Sequence, residues 1–263
     1  MELIVDNHPV FVFTFGRDFD ATKPTILFVH GAGMDHSIWT LQARYFAHHG
    51  INAVAVDLPG HGRSGGAPIA SIEALADWLV LVPGKLGSEQ TKLVGHSMGA
   101  LICLEAARRH PNVVDGLALL GVAPAMPVHP ALLEAAKSNQ PLAAELVTSW
   151  GHGPTGHFGG NRAPGGWLIG HAQRLLEKAS AGVLHNDLAA CNNYRAGEEA
   201  AAAVQCPTLV IVGDQDRMTP AKQGAKLVNA MPQAQLVSIH GSGHLMMVEN
   251  PDATLDALIE AIG

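Results

Sequence analysis

The sequence predicts an α/β fold, a mostly parallel sheet covered by helices on both faces and interrupted by a helical insertion. Three observations predict it. Short apolar runs alternate with helical stretches from Thr25 to Val122 and again from Pro207 to Ile262, as expected for strands buried on both faces and joined by crossover helices. One serine stands between two glycines in Gly95-His96-Ser97-Met98-Gly99, where an apolar run ends and a helix begins. Between Pro124 and Gln205 the alternation stops, and helical pieces take its place.

In chain order, Leu3–Val5 and Val10–Phe15 flank the turn-like Asp6-Asn7-His8-Pro9 and read as an antiparallel hairpin. Thr25–Val29 is a buried strand ending in His30-Gly31-Ala32-Gly33, and a helix from about Ser37 to His49 stops at Gly50. Asn52–Val56 repeats the strand and leads into Asp57-Leu58-Pro59-Gly60-His61-Gly62-Arg63-Ser64. Ser71 is placed to cap a helix that runs until Pro83. The Thr91–Val94 strand, a helix from Leu101 to His110 and the Leu117–Val122 strand follow. The insertion holds helical stretches at Ala131–Gln140, Pro141–Trp150, Gly166–Ala179 and Leu184–Tyr194, with a glycine-rich loop from Gly151 to Gly166. Pro207–Val212 is a strand, Thr219 is placed to cap a helix reaching Met231, Gln235–His240 is the last strand, and Asn250-Pro251 opens a C-terminal helix. The insertion is expected above the C-terminal ends of the strands, where open α/β sheets bind ligands.

A chain of 263 residues, 48% hydrophobic and 15% charged, has the composition of a soluble enzyme of one or two domains. Its 16 basic and 23 acidic residues give a net charge of −7 without a basic run, which argues against nucleic acid and anionic membrane surfaces as partners. Cys103, Cys191 and Cys206 form neither a metal spacing nor a disulfide framework and read as free thiols. No signal peptide precedes the first strand and no apolar run approaches a membrane span, so a cytoplasmic location is expected.

The chemistry is read outward from Ser97. A serine in a sharp strand-to-helix turn presents its hydroxyl at the tip, and Gly95 and Gly99 let helix and strand approach. The hydroxyl becomes a nucleophile only when an oriented imidazole takes its proton. His244, in the flexible Gly241-Ser242-Gly243-His244 loop after the last strand, is favoured over His240, which packing at the strand end would fix. The acid should follow the preceding strand, where Asp216 is favoured over Asp214; the latter can serve the turn amides. The stretch Gly121–Met126 contains no carboxylate that could replace them. Two backbone N–H groups should form an oxyanion hole, one from Met98 and one from Ala32, with Gly33 as the second choice. Gly33, Trp39, Met126 and Trp150 are candidates for the substrate pocket, with Phe158 and Trp167 weighed beside them, although aromatics here could equally fill the seam beneath the insertion.

His30-Gly31-Ala32-Gly33, Asp57–Ser64, Gly95–Gly99, Gly213-Asp214-Gln215-Asp216 and Gly241–His244 stand in one order, and on these motifs the chain resembles the α/β-hydrolase superfamily. The resemblance covers about Thr25–Gly121 and Pro207–Ile262. It implies an α/β-hydrolase fold with a central sheet of about eight strands, a core of residues 1–123 and 206–263, and a helical cap at 124–205. It also implies an acyl-enzyme route without a cofactor: Ser97 attacks a carbonyl, His244 takes the proton and later activates water, and Asp216 holds the imidazole. No metal site is expected, since His152, His157 and His171 lack carboxylates or cysteines at ligand spacing.

Gly60-His61-Gly62-Arg63-Ser64-Gly65 fits the dinucleotide pattern formally, but no helix opens there before Ser71, so the family turn explains it better. The expected substrate is a small-molecule carboxylic ester or lactone, neutral and moderately apolar because the insertion is apolar and basic groups near the site are absent. Peracid formation, carbon–carbon bond hydrolysis, cyanohydrin cleavage and a ligand sensor with a retained triad are the competing readings.

Overall fold

Strand continuity sets the architecture. In a computed structural model, which describes residues 1–157, 160 and 166–262, the strands are β1 (Glu2–Val5), β2 (His8–Phe13), β3 (Thr25–Val29), β4 (Asn52–Val56), β5 (Thr91–His96), β6 (Val114–Leu120), β7 (Thr208–Gly213) and β8 (Ala234–Ile239). They form one sheet in the order β1-β2-β4-β3-β5-β6-β7-β8. The β1–β2 and β2–β4 pairs are antiparallel and the remaining pairs parallel. Every residue of β3, β4 and β7 is buried, which is why these strands read as unbroken apolar runs.

The period of two along each strand divides the interior into two cores. Leu27, Val29, Val54, Val56 and Leu93 face one side, packing with α2 (Ile72–Leu79), α3 (Leu81–Leu86) and α4 (Met98–Arg109). Ile26, Phe28, Ala53, Ala55 and Val94 face the other, against α1 (Thr40–His48) and α13 (Pro251–Ile262). Between β6 and β7 come α5 (Pro130–Lys137), α6 (Pro141–Gly151), α7 (Pro154–His157), α8 (Leu168–Glu177), α9 (Val183–Asn193) and α10 (Gly197–Ala203); α11 (Ala221–Ala230) and α12 (Met246–Glu249) complete the helices. Among the described residues none of these helices is long and apolar enough to cross a membrane.

Several expectations are corrected in detail. Pro83 does not stop a helix. It sits in the first turn of α3, where its missing N–H is no loss, while α2 ends at Leu79. Ser71 does cap α2, accepting from the N–H of Ala74. Thr219 does not cap α11, which begins after Pro220. A 3-10 turn, His36–Trp39, precedes α1. Neither α10 nor α12 was expected; α10 is a short Ala-rich run of seven residues and α12 a single turn of four.

The turn at the end of β5 needs its two glycines for different neighbours. A Cβ on Gly95 would overlap the carbonyl of Gly99, and one on Gly99 would overlap the carbonyls of Val29 and His30 at the end of β3. The second clash is with the adjacent strand, so Gly99 lets α4 start against the sheet. Overpacking against backbone cannot be relieved by rotamer changes. Gly99→Ala should therefore lower stability by about 3 kcal/mol, the upper end of the usual overpacking cost. Thermal unfolding checks this, and an unchanged Tm would contradict it.

Candidate active site

Ser97 sits between β5 and α4 with φ +55° and ψ −117°, a conformation that costs a non-glycine residue energy and persists only where its surroundings enforce it. The enforcement is visible: the N–H of Ser97 donates to Leu120 at the end of β6, and its carbonyl accepts from Ala100 and Leu101 as α4 begins. The N–H of Met98 starts that helix and finds no acceptor among the described residues. The positive end of the α4 dipole therefore lies at the serine.

The loop after β8 places His244 over the ends of the strands. Nδ1 of His244 is 2.8 Å from Oδ2 of Asp216, and the pair is buried. Asp216 also accepts from the hydroxyl of Thr219 at 2.7 Å and from the N–H groups of Met218 and Thr219. Burial pushes the Asp216 carboxyl up, but the His244 imidazole and the hydrogen bonds of His244 and Thr219 outweigh it and hold the group below the usual carboxylate range. With Nδ1 committed to Asp216, the other nitrogen, Nε2, is buried without a partner, and Ser97 and His244 line the same cavity. His240 and Asp214 pair with each other instead, at 2.7 Å on the surface, and Asp214 also takes the N–H of Gly241.

Backbone contacts hold the His244 loop in place. Gly121, with φ +59°, leaves room for the imidazole, since a Cβ there would come within 2.9 Å of Nδ1 and Cε1. The N–H of His244 donates to Gly151 at the end of α6, at 2.7 Å. His96, beside the serine, donates from Nε2 to the carbonyl of His244 at 3.0 Å. The buried carboxylate of Glu249 accepts from Gly153 in the insertion and Gly243 in the loop, at 2.8 and 3.0 Å.

The loop after β3 is held from the insertion. The N–H of Gly33 donates to Oδ2 of Asp187 on α9 at 2.8 Å, so it is not left for an oxyanion, and Gly33 does not line the cavity beside Ser97; the N–H of Ala32 has no acceptor among the described residues. The same Oδ2 lies 2.7 Å from Nε2 of His61, whose Nδ1 is 3.0 Å from the carbonyl of Pro59. Both acceptors require N–H donors, so His61 is doubly protonated. Burial opposes that charge, but the Asp187 carboxylate outweighs it and raises the pKa of His61 above the ordinary imidazole value. His30, whose ring is tilted by 50° against that of His61 with centroids 4.9 Å apart, is neutral: Nδ1 donates to Gly31 and Nε2 accepts from Leu58. Burial, with the charge of His61, takes its pKa down to about 4.

The cavity holds about 160 Å³ and is walled chiefly by apolar side chains, among them Met34, Met126, Leu132, Val147, Trp150, Leu184 and Leu188. Ala32 lines it as well. Trp39 does not: it lies in the core against Phe28, with ring centroids 5.4 Å apart. Trp167 is 75% exposed, and Phe158 falls outside the described residues. Basic groups are not absent, because Arg217 lines the cavity. A larger hollow of about 450 Å³ lies at the opposite ends of the strands, among Arg17, Asp20, His48 and Asn52, away from the serine.

A strand-turn-helix serine, a buried imidazole–carboxylate pair and this sheet order belong together in one family. The chain is a member of the alpha/beta hydrolase family. The family model matches residues 26–257. RutD of Agrobacterium fabrum, which carries a carbamate hydrolase name, is 27% identical over 250 residues, covering 89% of this chain and 90% of that one. The pimeloyl-acyl-carrier-protein methyl ester esterase of Aromatoleum aromaticum is 28% identical over 252 residues, covering 88% and 94%. The fold is also that of the enol-lactonase from Burkholderia xenovorans LB400, with a TM-score of 0.88, 20% identity and 100% and 99% of the two chains covered. The protein is thus an alpha/beta hydrolase family enzyme with hydrolases among its relatives.

From the sequence Thr219 has a capping role only, and Asp187, Glu249 and the role of His96 are not singled out. Only for His96, flanking the serine, was there a local signal; the others act through partners distant in sequence.

Burial holds His30, His96 and His152 below the ordinary imidazole pKa. The unfolded chain, titrating near ~6.5 at each, binds more protons than the fold as pH drops, so stability declines from about pH 6.5 toward 4. His61, raised, has the opposite sign: its contribution is complete below about 6.5 and is lost as pH rises through its folded value. Urea midpoints measured from pH 4.5 to 9 should peak near neutrality, and His61→Gln should flatten the alkaline side. A midpoint that keeps rising on acidification would contradict the assigned charge states.

Proposed function

We propose that this enzyme hydrolyses carboxylic esters or lactones of small, fairly apolar acyl groups through an acyl-enzyme on Ser97. The observation that carries the reading is His244, which lines the same cavity as Ser97, with one nitrogen held by buried Asp216 and the other buried without a partner. In this reading Ser97 attacks the carbonyl while Nε2 of His244 takes the hydroxyl proton and returns it to the leaving alcohol. Water, deprotonated by the same nitrogen, then releases the acid. Asp216 fixes the tautomer and stabilises the imidazolium. The free N–H groups of Ala32 and Met98 would receive the developing oxyanion at the start of α4. Residues 124–205 act as a cap on a core of 1–123 and 206–263, with Met126 and Trp150 in the acyl wall. The methyl ester esterase among the relatives supports ester chemistry over the other reactions considered.

A panel of p-nitrophenyl esters with a fluorophosphonate label tests this. Wild type should turn over the esters and be labelled, and Ser97→Ala should lose both. Asp216→Asn should lower kcat by about 10⁴, the cost of the wrong tautomer, whereas Asp214→Asn, altering only a surface pair, should stay near wild type. The reverse ranking of the two aspartate variants would refute the assignment of the acid.

Thr219→Val removes one hydrogen bond to a charged group and should lower kcat by about tenfold. Steady-state kinetics on the best ester checks this, with KM expected to change little because the hydroxyl faces Asp216 and not the acyl wall.

A further inference from the structure

The polar groups that the cavity offers a ligand are one-sided. Thr219 is spent on Asp216, and Cys191 is a thiol that burial keeps neutral. Beyond the proposed catalytic groups and His96, whose unpartnered Nδ1 is buried against Gly31, two exposed side chains of the lining can still bind. The guanidinium of Arg217, in the loop after β7, forms no hydrogen bond or ion pair with any described residue. The preceding acid, Asp216, is already bonded to His244, Thr219 and Met218. His129, which lines the same cavity, accepts the N–H of Ala131 at Nδ1, 3.2 Å away, which leaves the proton on Nε2 as a donor. Trp150 steadies that ring edge-on, with centroids 5.5 Å apart.

Both groups donate and neither accepts. No lining residue presents a free carboxylate, so a cationic substrate would meet Arg217 with nothing to balance it. An alcohol or amide would use only part of the fork. A carboxylate accepts from a guanidinium through two oxygens, in a charge-assisted geometry that neutral groups cannot match.

We propose that the site selects esters or lactones that carry a second, free carboxylate. Arg217 holds this group at the mouth with Nε2–H of His129 beside it, and the apolar chain lies among Met126, Leu132 and Leu188. The proposal rests on Ser97 as the nucleophile, and it replaces the neutral substrate expected from the sequence with a monoanionic one.

The experiment compares two methyl esters of equal chain length, the monomethyl ester of a straight-chain dicarboxylic acid and the methyl ester of the matching monocarboxylic acid. Wild type should favour the charged ester by about tenfold or more in kcat/KM at low salt, the preference shrinking as salt screens the exposed guanidinium. In Arg217→Gln the ratio should fall about tenfold. A wild-type ratio of one or less, or the same ratio in the variant, overturns the carboxylate subsite. Fluorophosphonate labelling run in parallel separates the two levels. Enzyme labelled at Ser97 but without the preference loses only the subsite; enzyme that neither labels nor turns over either ester loses the nucleophile and the subsite together.

Discussion

Backbone packed directly on backbone is the constraint from which the rest of this site follows. Gly95 meets Gly99, Gly99 meets the end of β3, Gly213 meets the carbonyls of Ser242 and Gly243, and Gly243 meets the Gly151–Gly153 segment. At each contact a single methyl group would separate elements that have to touch. The result is a rim of close-packed main chain at the C-terminal ends of the strands. On that rim Ser97 is held at φ +55°, and His244 has room beneath Gly121. Side chains then choose among few positions, because the peptides around them are already fixed.

A second level of order lies in the charge states of four of the five buried histidines among the described residues. His30 and His96 each donate from one nitrogen and are kept neutral by burial. His61 donates from both and carries a charge against Asp187. His244 donates to Asp216 and keeps its other nitrogen free. Four identical side chains thus do different work according to whether their nearest neighbours are carbonyls, amides or carboxylates. The neutral His30 beside the charged His61 avoids a like-charge pair in the core, and Asp57, itself held by His36 and Arg63, stays on its own partners.

Local patterns in the sequence carried the sheet and its strand assignments, because buried strands and the helices between them differ in period over a few residues. They also marked Ser97 and its glycines, the loop of His244 and the two candidate aspartates, since each belongs to a turn whose geometry demands those residue types. The errors share another origin. Trp39 is a pocket candidate through its nearness in sequence to the His30–Gly33 loop, but the 3-10 turn swings it into the core against Phe28. Thr219 looked like a helix cap, yet its hydroxyl serves Asp216. Asp187 and Gly33 are 154 positions apart, and Glu249 reaches across to Gly153; no window along the chain reveals such pairs. Arg217 could not be placed at the cavity without knowing which way the loop after β7 turns.

Helix α9 has a double attachment. Leu184 and Leu188 form part of the cavity wall, and Asp187, between them in sequence, bonds Gly33 and the charged ring of His61. The insertion is therefore not an interchangeable module. A chimaera that grafts another family member's helices onto this core would remove the counter-ion of a buried cation as it changed the wall. Each swap would strand His61 unless an acid were supplied at the same height on the incoming helix.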